Sequence, residues 1–413
     1  MLNLGRTGFG LGFGYLWAVT LPESSLLLLS NALVFAPEPL GVCHLLISGE
    51  RVIWIGSEIP TLDRTLNVET HDLGGRRVIP GLVDCHAHLT GGGGEAGHGT
   101  RVPAPVLSHY TTAGITTVVG LLGTDDVTRS LEALVASANG LVAEGLSAWC
   151  YTGSYRIPPK TITGTVRGDI VLIDRIIGAG EIAISDHRSA QPTLDELLRI
   201  ASECHVGGIM TGKAGTLHLH VGDGERGLSL ITAALKTAEI PARVYHPTHV
   251  NRRKKLFEEA LDLARAGCTI DVSAFPAVGP DEWSAAEAWR RYSHADLPAD
   301  RLTISSDGGG CLPVFDAAGT PTGMDVARPQ SLADTLTELL ASGVAPEDAV
   351  PAFTSNPAGL LRMPRKGRIA VGADADLVVL DHEHRLLDVM ARGRWHVRDG
   401  HPVRRGTFES EPE

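Results

Sequence analysis

The sequence predicts a (β/α)8 barrel of the TIM type, carrying a small β-sandwich domain built from both chain ends. Three observations point there. The middle of the chain alternates short apolar strand-like runs with amphipathic helical ones, two β-rich segments bracket that middle, and histidines and an acid fall where predicted strands end. In such a barrel, chemistry belongs at the C-terminal ends of the strands.

Eight runs read as strands: 82–85, 116–122, 148–152, 182–185, 217–221, 244–248, 269–274 and 302–306. Helical patterns separate most of them, at 126–144, 194–204 and 256–266, the last followed by Gly267 as a stop signal. That regular alternation fits one barrel better than two doubly wound sheets. Strand-like pieces at 26–34, 43–47 and 51–56, broken by Pro, Gly and Asn turns, share their texture with 368–381 and 387–397. The expected organisation is therefore a disordered N-terminal extension at 1–23, a small β domain from 24–78 and 364–413, and a catalytic barrel at 79–363.

The extension contains an apolar stretch, 9–21, that is too short to span a bilayer. Gly10, Gly12 and Gly14 interrupt it, Arg6 is its only positive charge, and no A-x-A pattern follows, so it does not read as a cleaved signal. A net charge of −12 argues against a nucleic-acid partner, which needs clustered Lys and Arg. The one basic run, Arg252-Arg253-Lys254-Lys255, reads as a solvated helix start, at least for its two lysines. Six cysteines without C-x-x-C pairing suggest a reducing, cytoplasmic setting.

His86-Ala87-His88 ends the first strand, and residues two apart on a strand point the same way, so both imidazoles can face one cation. His220 ends the fifth strand, His249 follows the sixth, and Asp307 follows the eighth, all at one face of the barrel. Histidines with a carboxylate suit one or two zinc-type cations, whose bound water ionises near neutral pH. Asp307 can both ligate such a cation and accept the proton. His218 and His220 share a strand face, so spacing alone leaves open which binds metal and which supports a ligand.

Several stretches resemble the isoaspartyl (β-aspartyl) dipeptidases, a branch of the metal-dependent amidohydrolase superfamily. They are Pro80-Gly81 through His88, Gly91-Gly92-Gly93-Gly94-Glu95-Ala96-Gly97, Gly120-Leu121-Leu122-Gly123-Thr124-Asp125, Ser185-Asp186-His187-Arg188-Ser189, Pro247 through Arg252, and Ser305-Ser306-Asp307-Gly308. The resemblance implies a binuclear zinc hydrolase of β-aspartyl dipeptides that assembles as a homo-octamer. It implies His86, His88, His220, His249 and Asp307 as ligands, Asp307 as general base and acid, and Tyr155 as the group that polarises the scissile carbonyl. It places Glu95 on the substrate ammonium, Arg188 and Arg252 on its carboxylates, and Gly93 and Thr124 in the pocket. The charges agree, because a β-aspartyl dipeptide carries one ammonium and two carboxylates.

Two positions depart from the family pattern. Its bridging ligand is a carboxylated lysine four residues before the Ser-Asp-His-Arg motif, and that position here is Glu181. Glu can bridge two cations, yet its oxygens lie about 4 Å nearer the backbone than those of a carboxylated lysine. The strand or the metals must therefore shift, and an apparent extra residue near Ala179-Gly180 would let the strand bulge inward. Lys213 sits in a context that matches a different stretch of the family and does not substitute. The second departure is Cys311, where the family has a serine that helps to bind substrate; a thiol is a weaker hydrogen-bond partner.

These features point to hydrolysis of a β-aspartyl or closely related amino-acid amide. The alternatives are an amidohydrolase of changed specificity, a deaminase or N-acyl amino acid deacetylase with Glu181 as ligand, and a barrel without productive metal binding that serves in assembly or sensing.

Overall fold

Parallel strands covered on both faces are buried nearly throughout, and eight such segments form the centre of the molecule. The computed structural model describes residues 26–410 apart from Arg64, Val278 and Ala317; the expected extension at 1–23 lies outside the described residues. The barrel strands are β1 (Leu82–Ala87), β2 (Ile115–Gly120), β3 (Ser147–Thr152), β4 (Ile176–Ile184), β5 (Thr216–Val221), β6 (Tyr245–Thr248), β7 (Ile270–Ser273) and β8 (Leu302–Ser305). Strands β1 to β6 form one parallel sheet in chain order, and β7 pairs with β8.

The ring closes differently at its two seams. Between β8 and β1 the backbone does it: the His88 amide donates to Gly308 O at 2.8 Å and the Asp307 amide to His86 O at 3.1 Å. Between β6 and β7 side chains do it, with Thr248 Oγ1 donating to Asp271 at 2.6 Å and Asn251 spanning to Ser273 through both its amide nitrogen and its oxygen.

A helix lies between each pair of successive strands, from the short Leu107–Thr111 to Ala285–Ser293, and Gln330–Ala341 follows β8. The helix Leu194–Thr211 shows why the chain folds this way locally. Thr193 and Glu196 exchange side-chain to backbone bonds in a capping box, and Gly212 at φ 73° ends it. The helix expected from residue 126 begins instead at Leu131. Asp125 accepts the amides of Val127 and Thr128, which holds that segment in a turn, and Ser130 supplies the cap.

Both chain ends build one nine-stranded sheet beside the barrel, which divides at its first strand, Leu26–Phe35. Residues Leu26 to Ser30 pair with Val68–Asp72, whereas Leu33 and Val34 pair with Arg77 and Val78, and from there the sheet continues into Leu377–Leu380. Alternation sorts the side chains. Leu27, Leu29, Leu45, Ile47, Leu377 and Val379 fill the sheet's own core, and Val378, Leu380, Val389 and Val397 pack onto the barrel. The break expected after residue 78 falls inside the strand Arg77–Pro80, which hands the chain straight to β1. Among the described residues no helix is long and apolar enough to cross a membrane.

His396 is a buried weak point in that sheet. Its ring packs against Gly145, and among the described residues neither ring nitrogen has a hydrogen-bond partner. Burial first, then Arg404 and Arg394, push its pKa down to about 4. The folded value lies below the unfolded one, near 6.5, so the unfolded chain binds the extra proton between those values and stability falls as pH drops through the window. The linked loss is on the order of 3 kcal/mol. We predict that His396→Leu reduces the drop in urea midpoint between pH 7.5 and pH 4.5; an unchanged drop would show that His396 does not contribute.

Candidate metal centre

Glu181 stands at the middle of the site because of a bulge in β4. Leu217 on β5 is level with Ala179, but Leu219 is level with Ile182, so β4 contains an extra residue at Gly180 and Glu181. Only glycine fits at 180. A Cβ there would stand 2.7 Å from the His218 Cβ and 2.9 Å from its carbonyl oxygen.

The Glu181 carboxylate reaches all four histidines expected to ligate. Oε2 lies 3.1 Å from His220 Nδ1, 3.6 Å from His249 Nε2 and 3.7 Å from His86 Nε2, while Oε1 lies 3.6 Å from His88 Nε2. Asp307 Oδ1 completes the group, 3.1 Å from His88 Nε2 and 3.3 Å from His86 Nε2. Donor atoms of His86, His88 and Glu181 fall in one tight cluster, those of Glu181, His220 and His249 in another, and those of His86, His249 and Asp307 in a third. Glu181 is thus common to two of the three. His249 and Asp307 both adopt left-handed backbone, at φ 63° and 55°, which turns their side chains into the barrel mouth.

Two observations fit this nest to a divalent cation. His86 Nε2 and Asp307 Oδ1 are buried without a hydrogen-bond partner among the described residues, and both aim at the centre. The donors are imidazole nitrogens and carboxylate oxygens, the set that zinc-type ions take. The acids and His249 hold charge states that suit ligation, while at His86 burial is outweighed by Glu181 and Asp307, which push its pKa up to about 9, so a cation there would displace a proton. Burial favours protonated Glu181, but His86, His220 and His249 outweigh it and hold the carboxyl well below its usual range. Burial opposes the ionised Asp307 too, and the neighbouring imidazoles of His86 and His88 reverse that. Burial pushes His249 down to about 3, leaving it neutral.

Above the nest opens a cavity of about 1130 Å³ lined by Gly93, Glu95, Thr124, Tyr155, Arg188, Arg252 and Cys311, which are all the residues expected to contact substrate. Thr124 Oγ1 donates to Glu95 Oε1 at 2.9 Å and Arg188 approaches the same oxygen at 3.4 Å. Glu95 Oε2 is buried and without a partner among the described residues. Arg252 lies over the Phe275 ring, 6.0 Å from its centroid, and no carboxylate of the described residues pairs with it. The Tyr155 hydroxyl stands 2.7 Å from His220 Nδ1, and burial first, then Glu181, keep it protonated well above the usual tyrosine range. Burial and Glu95 push the Cys311 thiol up to about 11, so it faces the cavity as a neutral group.

The neighbouring histidines differ in placement. His220 faces Glu181, whereas His218 lies one layer deeper and meets His86 and His246. Lys213 is far from the nest, its Nζ donating to the carbonyls of Ile170, Ile173 and Ile176.

Sequence reasoning missed three contributors. Asp186, inside the Ser-Asp-His-Arg motif, grips Arg188 through Nε at 3.0 Å and Nη2 at 2.8 Å, and its Oδ2 lies 2.9 Å from His220 Nε2. Arg129 is buried and donates to the carbonyls of Thr90, Gly92 and Val102, which pins the glycine loop. Phe315 supports Arg188 from 5.3 Å. Only Asp186 carried a signal, its place in a motif at a strand end.

Imidazoles and acids that converge at the C-terminal mouth of a closed parallel barrel define a metal-assisted barrel hydrolase. The chain belongs to the amidohydrolase family, whose model matches residues 77–396. It is similar to the β-aspartyl dipeptidase of Fervidobacterium islandicum AW-1 in complex with β-Asp-Leu, at 42% identity and a TM-score of 0.90 over 94% of this chain and 100% of that one. A second structure of β-aspartyl dipeptidase from that organism gives 40% identity and a TM-score of 0.86, over 93% of this chain and 100% of that one. An imidazolonepropionase of Ruegeria sp. strain TM1040 is 26% identical over 369 residues, 81% of this chain and 85% of that protein.

A cation that binds the folded nest and not the unfolded chain must stabilise the fold. At a free concentration a thousand times Kd the gain is about 4 kcal/mol. We predict that chelation lowers the melting temperature by several degrees, that added Zn2+ restores it, and that Glu181→Ala removes most of the response. Equal melting temperatures with and without cation would exclude a metal centre here.

Proposed function

We propose that this chain is a zinc-dependent isoaspartyl dipeptidase, which hydrolyses the isopeptide bond of β-aspartyl dipeptides. One observation carries the reading: an unpartnered carboxylate oxygen of Glu95 and two guanidinium groups, Arg188 and Arg252, surround a cavity whose floor is the metal nest. That arrangement complements one ammonium and two carboxylates around a central amide. The similarity to a dipeptidase in complex with β-Asp-Leu supports the same class of substrate.

His86, His88, Glu181, His220, His249 and Asp307 would hold the cation or cations, two in the binuclear form. Bound there, a divalent cation supplies a Lewis acid and lowers the pKa of water. In this reading Glu95 fixes the substrate ammonium, while Arg188 and Arg252 fix its carboxylates. The Asp307 carboxylate takes a proton from the attacking water and delivers it to the leaving amine nitrogen, so the carbonyl carbon gains O–H and the amine leaves neutral. Tyr155 donates its hydroxyl proton as a hydrogen bond to the carbonyl oxygen as charge grows there. Asp186 holds Arg188 in place. Gly93 and Thr124 shape the pocket, and Cys311 offers a weaker contact than a serine, which favours a substrate differing slightly from the relatives'.

A homo-oligomer, octameric by family resemblance, belongs to the same proposal. The six unpaired cysteines, five of them buried, support a reducing compartment. A second reading, deamination or deacetylation of an amino-acid-like compound, draws on Glu181 alone, a ligand that needs no carbon dioxide.

The test compares β-Asp-Leu with α-Asp-Leu. We expect cleavage of the β-linked dipeptide only, unaffected by removal of bicarbonate. Glu181→Ala should lose at least about 100-fold in kcat, consistent with loss of a metal-bridging group. Metal binding without cleavage of either dipeptide would reject the dipeptidase reading and favour the second. Separately, Arg252→Met should raise KM for β-Asp-Leu about 10- to 100-fold, as expected for loss of a charged hydrogen bond; an unchanged KM would remove Arg252 from the substrate site.

A further inference from the structure

Below the nest, a chain of hydrogen bonds crosses the sealed interior of the barrel. His86 Nδ1 lies 2.8 Å from His218 Nε2, and His218 Nδ1 lies 2.8 Å from His246 Nδ1. His246 Nε2 then lies 3.0 Å from Thr303 Oγ1, which donates to Asp271 Oδ1 at 2.6 Å. His86 and the four residues beyond it come from β1, β5, β6, β8 and β7, and none exposes any surface.

Each link of such a chain has one proton, so the direction of all of them follows from one end. Asp271 sets that end. Its Oδ2 accepts hydroxyls from Thr248 and Ser305, both at 2.6 Å, and its Oδ1 accepts the Thr303 hydroxyl and, at 3.4 Å, the Cys85 thiol. Four donors on one carboxylate leave it purely an acceptor. Cys85, His246 and Asp271 lie close enough to suggest a second metal cluster, but these commitments leave no carboxylate oxygen for an ion.

The Thr303 proton being committed to Asp271, Thr303 Oγ1 must accept from His246 Nε2–H. His246 Nδ1 is then bare and accepts from His218 Nδ1–H. His218 Nε2 is bare in turn and accepts from His86 Nδ1–H. A second proton on His218 would bury a cation between two imidazoles with no carboxylate in contact, which is strongly unfavourable.

We propose that Asp271, Thr303, His246 and His218 form a tautomer relay that directs the proton of His86 to Nδ1 and so reserves Nε2 for the cation. These are positioning residues: none lines the substrate cavity. The inference rests on the metal-binding reading above, but its internal part, the proton placement on His218 and His246, does not require metal.

Three substitutions test the relay in the full-length protein. Thr303→Val removes the hydroxyl at nearly constant shape, and Thr303→Ser keeps it. Asp271→Asn places an amide donor where only an acceptor stood, which allows the chain to reverse and puts a proton on His86 Nε2. Imidazole 15N shifts of the metal-free protein should report Nδ1–H on His218 and Nε2–H on His246 in wild type and in Thr303→Ser. In Asp271→Asn the His246 signature should change to Nδ1–H. Zn2+ affinity, titrated with zinc chloride alone, should weaken about 10- to 100-fold in Thr303→Val and Asp271→Asn and stay near wild type in Thr303→Ser.

Wild-type tautomers opposite to these, or Zn2+ affinity unchanged in both weakened variants, would overturn the relay. Wild-type protein that binds no Zn2+ while showing the expected tautomers would instead reject the metal reading. Should Thr303→Val fail to fold, Thr303→Ser and Asp271→Asn still decide.

Discussion

One short carboxylate has to meet four imidazoles, and much of the site is arranged around that demand. A glutamate on a regular β4 would end too near its own backbone to lie between His86 and His88 on one side and His220 and His249 on the other. The bulge at Gly180 and Glu181 adds a residue to the strand beside the nest, and the missing side chain at Gly180 lets it press against His218. The loop after β2 yields as well. Gly123 lies so close to the nest that a Cβ there would come within 2.9 Å of His88 and 3.3 Å of Glu181. Two glycines thus make room for a ligand whose reach is fixed by its length.

Charge organises the layers around that centre. Glu181, Asp307 and Asp186 are buried anions, each held ionised against the cost of burial by imidazoles or by Arg188. Without a cation such a cluster is satisfied only in part, as the partnerless atoms of His86 and Asp307 indicate. In the proposed reading binding, folding and protonation are therefore linked, and a cation bound there would contribute to stability as well as to chemistry. Outside the anions stands a second tier of opposite polarity, Arg188 and Arg252, supported by Phe315 and Phe275. The sequence of charges from floor to rim is what makes an amino-acid-like amide a better fit than a neutral ring.

How far all this can be read from the sequence depends on how local each cause is. The eight strands are legible because buried parallel strands are rich in apolar residues, and the candidate ligands are legible because they sit at or just past those runs. Glu181 is legible only through spacing from a motif. The start of the helix at Leu131 is not, because it depends on Asp125 turning its carboxylate onto two amides of its own loop. The roles of His218, His246 and Asp271 are hidden for a different reason. They depend on which side chains of five strands meet in one layer, and periodicity places each residue on a face without specifying its depth. Asp186 lies between these cases: its motif is visible, but its grip on Arg188 needs the loop after β4 in place.

The central claim is that Glu181 is the carboxylate shared by the metal ligands, and anomalous diffraction at the zinc edge from crystals of the zinc-loaded protein tests it most directly. One or two anomalous peaks are expected within coordination distance of Glu181, the first also touching His86, His88 and Asp307 and the second His220 and His249. A fully occupied site that leaves Glu181 outside coordination distance, or no anomalous peak at these histidines, would contradict it.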